Sequence, residues 1–262
     1  SSSGEDIILT KNQVIIDQLF ATDLSEDVSL GRLPDAASDT YKLSNPSPGQ
    51  SNNANDQLSF ANSQGFYTEP FYQSVNSLLE YDIRYTMDGG VPTVDSPILD
   101  DPILIADRSN DDNLLTEIPT TDADFVGSTK MWKSPSHRVD KAYTLRYASF
   151  ADGVRASKIY THTYFVNEDG ADEYTMPIIS LIAPTENFFG EQEGIYVPGS
   201  SYDPSISESG NYFMRGRSSE RDVHITYFDN EGIIGFSQDA GVRIHGGSTR
   251  KFAQKSLRLY AR

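Results

Sequence analysis

Short runs of β-branched and aromatic residues, each closed within a few positions by Gly, Pro, Asn or Asp, recur along the whole chain. They fall at Ile7 to Leu9, Val14 to Ile16, Ile83 to Thr86, Ile103 to Ile105, Tyr143 to Tyr147 and Ile159 to Val166. The pattern continues at Ile178 to Ile182, His224 to Phe228, Val242 to Ile244 and Ser256 to Tyr260. Each run is long enough for one strand and too short for a typical helix. No stretch sustains a 3.6-residue apolar period. With 19 Gly and 13 Pro as punctuation, the pattern predicts a mostly β chain of tandem immunoglobulin-like sandwich modules rather than a parallel α/β sheet.

Charge narrows the function. The 21 Lys and Arg face 38 Asp and Glu, for a net charge of -17, and such a field repels nucleic acid from most of the surface. The longest apolar run, Ile178 to Ala183, is broken by Ser180 and falls far short of the roughly 20 residues of a spanning helix. A chain without Cys has no disulfide framework, thiolate metal site or thiol nucleophile. The missing Cys fits either a cytosolic chain or a bacterial exported one, while excess acid with few Lys leans toward exported, saline or calcium-rich surroundings, and an extracellular or cell-surface setting is expected. The chain starts Ser1-Ser2-Ser3-Gly4 without an initiator Met. Leu257 to Arg262 still alternates like a strand, and the expectation is a piece of a longer protein.

Composition divides the chain into three segments. Ser44 to Asn55 reads SNPSPGQSNNAN, too polar to bury and kept extended by Pro and Gly, which predicts a linker. Residues 1–53 are then an incomplete β domain plus linker, 54–170 a β-sandwich, and 171–262 a third, unfinished β-rich region entered through the acidic connector Asn167 to Glu173. A polar stretch from Asp107 to Asp140 interrupts the middle segment and is long for a structureless loop. It is expected to carry its own strand around Met131-Trp132.

Three motif sets resemble known families. Ser29 to Asp35, followed by Pro46 to Asn52, resembles the last strands of a bacterial lamin-tail domain. Phe71, Val75, Ile83 to Gly89, Pro92, Pro102-Ile103, Tyr143 to Tyr147, Asp152-Gly153 and Thr163 to Phe165 are similar in order to the chitobiase/β-hexosaminidase C-terminal sandwich module. Ile178 to Leu181, Gly194 to Val197, Glu220-Arg221 and Asp239 to Ser248 resemble the opening of the CotH (spore coat protein H) kinase-like family. In that third set, GVRIHGGSTR is followed five residues later by KSLRLYAR, the most specific string of all. The resemblance implies a secreted or surface bacterial protein whose sandwich modules lead into an atypical kinase fold. It also implies that the catalytic and metal-binding carboxylates lie beyond Arg262. ATP and Mg²⁺ would be needed only if that half is present. On this resemblance Gly246, Gly247, Ser248, Arg250 and Lys255 map onto the nucleotide side.

The residues themselves leave two readings of this region. Residues 241–262 hold Arg243, Arg250, Lys251, Lys255, Arg258 and Arg262 and no acid, a net +6, whereas residues 1–240 carry 15 basic and 38 acidic residues. A Gly-Gly-Ser-Thr turn flanked by cations can cradle a phosphate. The same cations can equally pair with the acidic remainder. Strand alternation puts Arg243 and His245 on one face, and Lys255 on one with Leu257 and Leu259, where a buried ammonium would need a partner.

Elsewhere the signals are weaker. Asp107, Asp111 and Asp112 suggest a loose Ca²⁺ loop, although Asp112 and Ile118 stand where an EF-hand that starts at Asp107 needs Gly and Glu. A solvated acidic loop is the competing reading. Asp88-Gly89-Gly90 and Asp229 to Gly232 read as hairpin turns. The four His residues lack zinc spacing, and no G-x-S-x-G elbow supports hydrolysis. Glu220-Arg221 reads equally as a functional charge pair or a structural one. Phe66, Tyr67, Phe71, Tyr72 and Trp132 can stack on glycans or form core. The function expected is that of a noncatalytic extracellular structural or adhesive module, with an atypical secreted kinase as the alternative. A subunit that pairs β-edges with its own copies or other extracellular proteins is a further one.

Overall fold

A computed structural model describes residues 6–20, 22–24, 28–33, 35, 37–43, 47, 52, 56–122 and 129–261. The linker read at Ser44 to Asn55 lies almost wholly outside the described residues, as does Arg262. Strands appear in the order β1 (Ile7–Lys11), β2 (Val14–Leu19), β3 (Ser29–Arg32), β4 (Thr40–Leu43), β5 (Leu58–Phe60), β6 (Gly65–Tyr67), β7 (Phe71–Gln73), β8 (Val75–Ser77) and β9 (Asp82–Thr86). There follow β10 (Ile103–Ile105), β11 (Tyr143–Ala151), β12 (Val154–Arg155), β13 (Tyr160–Val166), β14 (Ile178–Ile182), a short helix α1 (Thr185–Phe189), β15 (Arg221–Phe228), β16 (Ile234–His245) and β17 (Ser256–Ala261). The chain is mostly β, as its punctuation predicts. Among the described residues no helix is long and apolar enough to cross a membrane.

Contacts divide the chain into two units. One comprises Ser1–Ser59, Asn76–Ile83 and Ala148–Lys158; the other comprises Phe60–Val75, Arg84–Tyr147 and Ile159–Arg262. In the first, β1 and β2 form an antiparallel hairpin and β3 and β4 another. Asn12 and Gln13 close the first hairpin with positive φ at both positions, which matches the twist of the strands it joins. The β11–β12 turn, Asp152-Gly153, has the same geometry, with φ 50° and 77°. Asp56 is 2% exposed. Its carboxylate accepts the Leu79 amide at 2.9 Å and the Ser77 hydroxyl at 2.7 Å, and its own amide donates to the Ala156 carbonyl. A buried carboxylate is tolerated because its lone pairs are taken.

Among its described residues the second unit holds the antiparallel β7–β10 pair and two larger sheets. In one, β11 pairs with β13 antiparallel and β13 with β6 in parallel. In the other, β14, β15, β16 and β17 form an antiparallel meander. Alternation on β15 and the second half of β16 turns Val223, Ile225, Val242 and Ile244 inward against Ile195 and Tyr212. Each such buried aliphatic side chain contributes about 1.5–3 kcal/mol. Phe66 stacks on Phe165 at 4.7 Å and Phe228 meets both edge-on, so aromatic packing joins the two sheets within this unit.

The stretch from Asp107 to Asp140 corrects one expectation. Met131 and Trp132 lie in no strand. The Trp132 amide donates to the Thr121 hydroxyl, and the Asn113 side chain bonds both the His137 carbonyl and the Val139 amide. Side chains thus serve a backbone that has no neighbouring strand to pair with.

Candidate functional site

The loop between β16 and β17 is built from glycine and arginine. Gly246 adopts φ +115°, a conformation that side chains disfavour, and a short 3-10 turn over Ser248–Lys251 follows. Arg250, 6% exposed, folds back beneath that turn. Its guanidinium donates to the carbonyls of Gly246 at 2.8 Å, Ile244 at 2.7 Å, Tyr212 at 3.0 Å and Met214 at 2.9 Å. The side chain is a rivet for four carbonyls. Burial, then the neighbouring Arg215 charge, lowers its pKa, yet a guanidinium stays protonated.

Lys255 is also spent internally. Its ammonium, 2.5 Å from the Thr120 carbonyl and 2.7 Å from that of Phe252, lies over the rings of Tyr212 at 4.7 Å and Tyr196 at 5.0 Å. Its backbone amide donates to the Tyr196 hydroxyl. Burial pushes its pKa down to about 7, partly offset by the Asp122 carboxylate. Asp122 accepts the Tyr212 hydroxyl at 3.0 Å and the Tyr202 hydroxyl at 3.3 Å. Burial, then Asp122, raises the Tyr212 pKa. The partner that a core-facing lysine requires is therefore a pair of carbonyls and an aromatic box.

Arg243 makes an ion pair with Glu220, whose side chain is 6% exposed. Its guanidinium also stacks over the Tyr260 ring at 4.4 Å. Arg221 points elsewhere, to the carbonyls of Glu193, Ser218 and Glu220. Arg221 thus bonds the Glu220 backbone carbonyl while the Glu220 carboxylate bonds Arg243, and both residues serve the fold. Gly247 and Ser248 are exposed.

On the outer face, Arg243 and His245 come together as alternation predicts. Arg215 and Arg258 join them around a cavity of about 190 Å³. Neither arginine was marked as a site residue by the sequence pattern. Arg258 requires the β16–β17 register, in which it stands opposite Arg243, and Arg215 carries no motif.

The acidic loop does not converge. Asp107 accepts the Ser109 amide and hydroxyl, Asp111 pairs with Arg108 at 2.7 Å, and Asp112 with Arg138 at 2.9 Å. Among the described residues, no group of three or more His, Asp or Glu is placed to hold a metal. These carboxylates are turned to local donors and arginines instead of a shared centre. His224 bonds Asp239 and Ser237, and His162 bonds the Tyr164 hydroxyl. Of the aromatics considered for glycans, Phe66, Tyr67 and Phe71 pack on other rings, whereas Tyr72 is 65% exposed. A larger cavity of about 610 Å³ lies beside α1, lined by Leu114, Leu115, Val139, Leu181, Phe188 and Phe189 and edged by Arg108 and Lys141. Its size suits a small molecule.

Residues 75–164 match the family model described as Fn3 associated. That match marks an immunoglobulin- or fibronectin-like β module. No curated protein and no solved structure matches the chain.

Proposed function

We propose that this chain is a noncatalytic structural or adhesive part of an extracellular or cell-surface protein. In this reading a lamin-tail-like end, a chitobiase-type sandwich and a CotH-like opening follow one another. The observation that carries it is the fate of Arg250 and Lys255. Both Arg250 and Lys255 donate to backbone carbonyls inside the fold, so the hydrogen bonds of both are spent on holding the loop. The acid-rich composition and the modular β architecture support the extracellular setting.

The test is calorimetric titration of the folded chain with Mg·ATP. A structural hairpin gives no saturable heat that depends on Lys255. Stoichiometric binding abolished by Lys255→Met in a still-folded variant would support the alternative, the N-terminal part of an atypical secreted kinase.

A further inference from the structure

We propose that the cavity framed by Arg215, Arg243, His245 and Arg258 binds one tetrahedral oxyanion, the terminus of a sulfate or phosphate monoester. This goes beyond the structural role above and does not depend on it: Arg250 also lines the cavity, but Arg215, His245 and Arg258 take no part in riveting the loop.

Three observations carry the inference. The first is crowding of like charge. Arg243 and Arg258 are directly opposed across β16 and β17, an arrangement that destabilises a strand pair when uncompensated. Glu220 neutralises Arg243 from one side, but no carboxylate lines the cavity itself. Arg215 makes no hydrogen bond or salt bridge to any described residue, although it lies close enough to Arg250 for their charges to repel. In a chain of net charge -17, acids to separate these cations are abundant, yet none lines the cavity.

The second observation is the supply of donors. Arg243 uses Nε and one terminal nitrogen on Glu220, which leaves the other terminal nitrogen for a ligand. Arg258 uses one terminal nitrogen on His245 Nε2, at 2.5 Å. The rest of the Arg258 fork is open, as is all of Arg215. Tyr260, beneath the Arg243 guanidinium, holds that plane flat. Forked donors converging on one space match the oxygens of sulfate or phosphate.

The third is size. At about 190 Å³ the cavity lies below the roughly 300–1,000 Å³ of sites that enclose drug-sized ligands. It accommodates a single oxyanion group and leaves the remainder of the ligand outside.

The experiment titrates the folded chain with glucose 6-sulfate and glucose 6-phosphate by calorimetry, with glucose as control and ionic strength held constant. It is repeated on Arg215→Ala, Arg258→Ala and the double variant, all at exposed positions and each checked for an unchanged melting profile. Saturable binding of at least one ester, none of glucose, and at least tenfold weakening in the double variant is the expected result. The stronger ester identifies the source. No saturable binding of either ester, or equal binding by the wild type and the folded double variant, overturns the proposal. If the double variant unfolds, competition by inorganic sulfate against the bound ester decides: displacement supports the site and its absence overturns it. Binding of Mg·ATP that persists in the double variant and resists sulfate would bear on the structural reading alone.

Discussion

Glu220 reaches Arg243 across β16 because the intervening position, 241, has no side chain. A Cβ at Gly241 would overlap the Glu220 carboxylate, so the glycine keeps open the path of an ion pair formed 23 residues apart. Glu220→Gln is expected to cost about 2 kcal/mol, below the full cost of orphaning a buried ion because Arg243 is partly exposed. Gly241→Ala should destabilise in the same direction by displacing the carboxylate. Denaturant unfolding of both single variants and the double variant checks this. Sub-additive losses are predicted, since both changes remove one interaction.

Arg250 makes a stronger demand. Four carbonyls lose their donor in Arg250→Ala, a loss on the order of 4 kcal/mol for bonds from a charged group. Arg250→Lys should recover little of it, because an ammonium cannot span four acceptors with a planar fork. The shift in urea midpoint reads the outcome. A lysine variant as stable as the wild type would contradict the account.

Lys255 makes stability depend on pH in a defined window. Its folded pKa, about 7, lies below the ordinary lysine value of 10.5. The unfolded chain therefore binds the extra proton between those values, and stability rises with pH across the window. Relative to Lys255→Met, the wild type should gain stability on the order of a few kcal/mol from about pH 7 to about pH 10.5. Below pH 7 the difference should be flat. Paired unfolding curves at several pH values measure it.

In the other unit, Asp56 is the corresponding pin. Asp56→Ala leaves the Leu79 amide and the Ser77 hydroxyl without their acceptor, a cost of about 2–4 kcal/mol. Faster amide exchange at Leu79 is the direct readout.

Much of the fold is legible in the sequence, because strand alternation and turn chemistry are local. Asp229 to Gly232 announces the β15–β16 turn by composition, and Arg243 and His245 share a face by period alone. What the sequence does not disclose depends on contacts distant along the chain. Nothing near Lys255 points to Thr120, 135 residues away, and nothing near Arg250 points to the carbonyls of Tyr212 and Met214. A cation beside a Gly-Gly-Ser turn therefore reads as available for phosphate until its partners are located. Met131-Trp132 misleads for the opposite reason. Its residues favour a strand locally, but no described strand pairs with them, and the Trp132 amide turns to the Thr121 hydroxyl instead.

The central claim, that the β16–β17 loop is a riveted structural hairpin, is tested most directly by hydrogen exchange over residues 244–258 with and without Mg·ATP. The loop amides of Arg250 and Phe252 are bonded to Gly247 and Thr249, and that of Lys255 to Tyr196. Slow exchange, unchanged by nucleotide, is the predicted result. Fast exchange that slows when Mg·ATP is added would show a loop waiting for its ligand and would contradict the account.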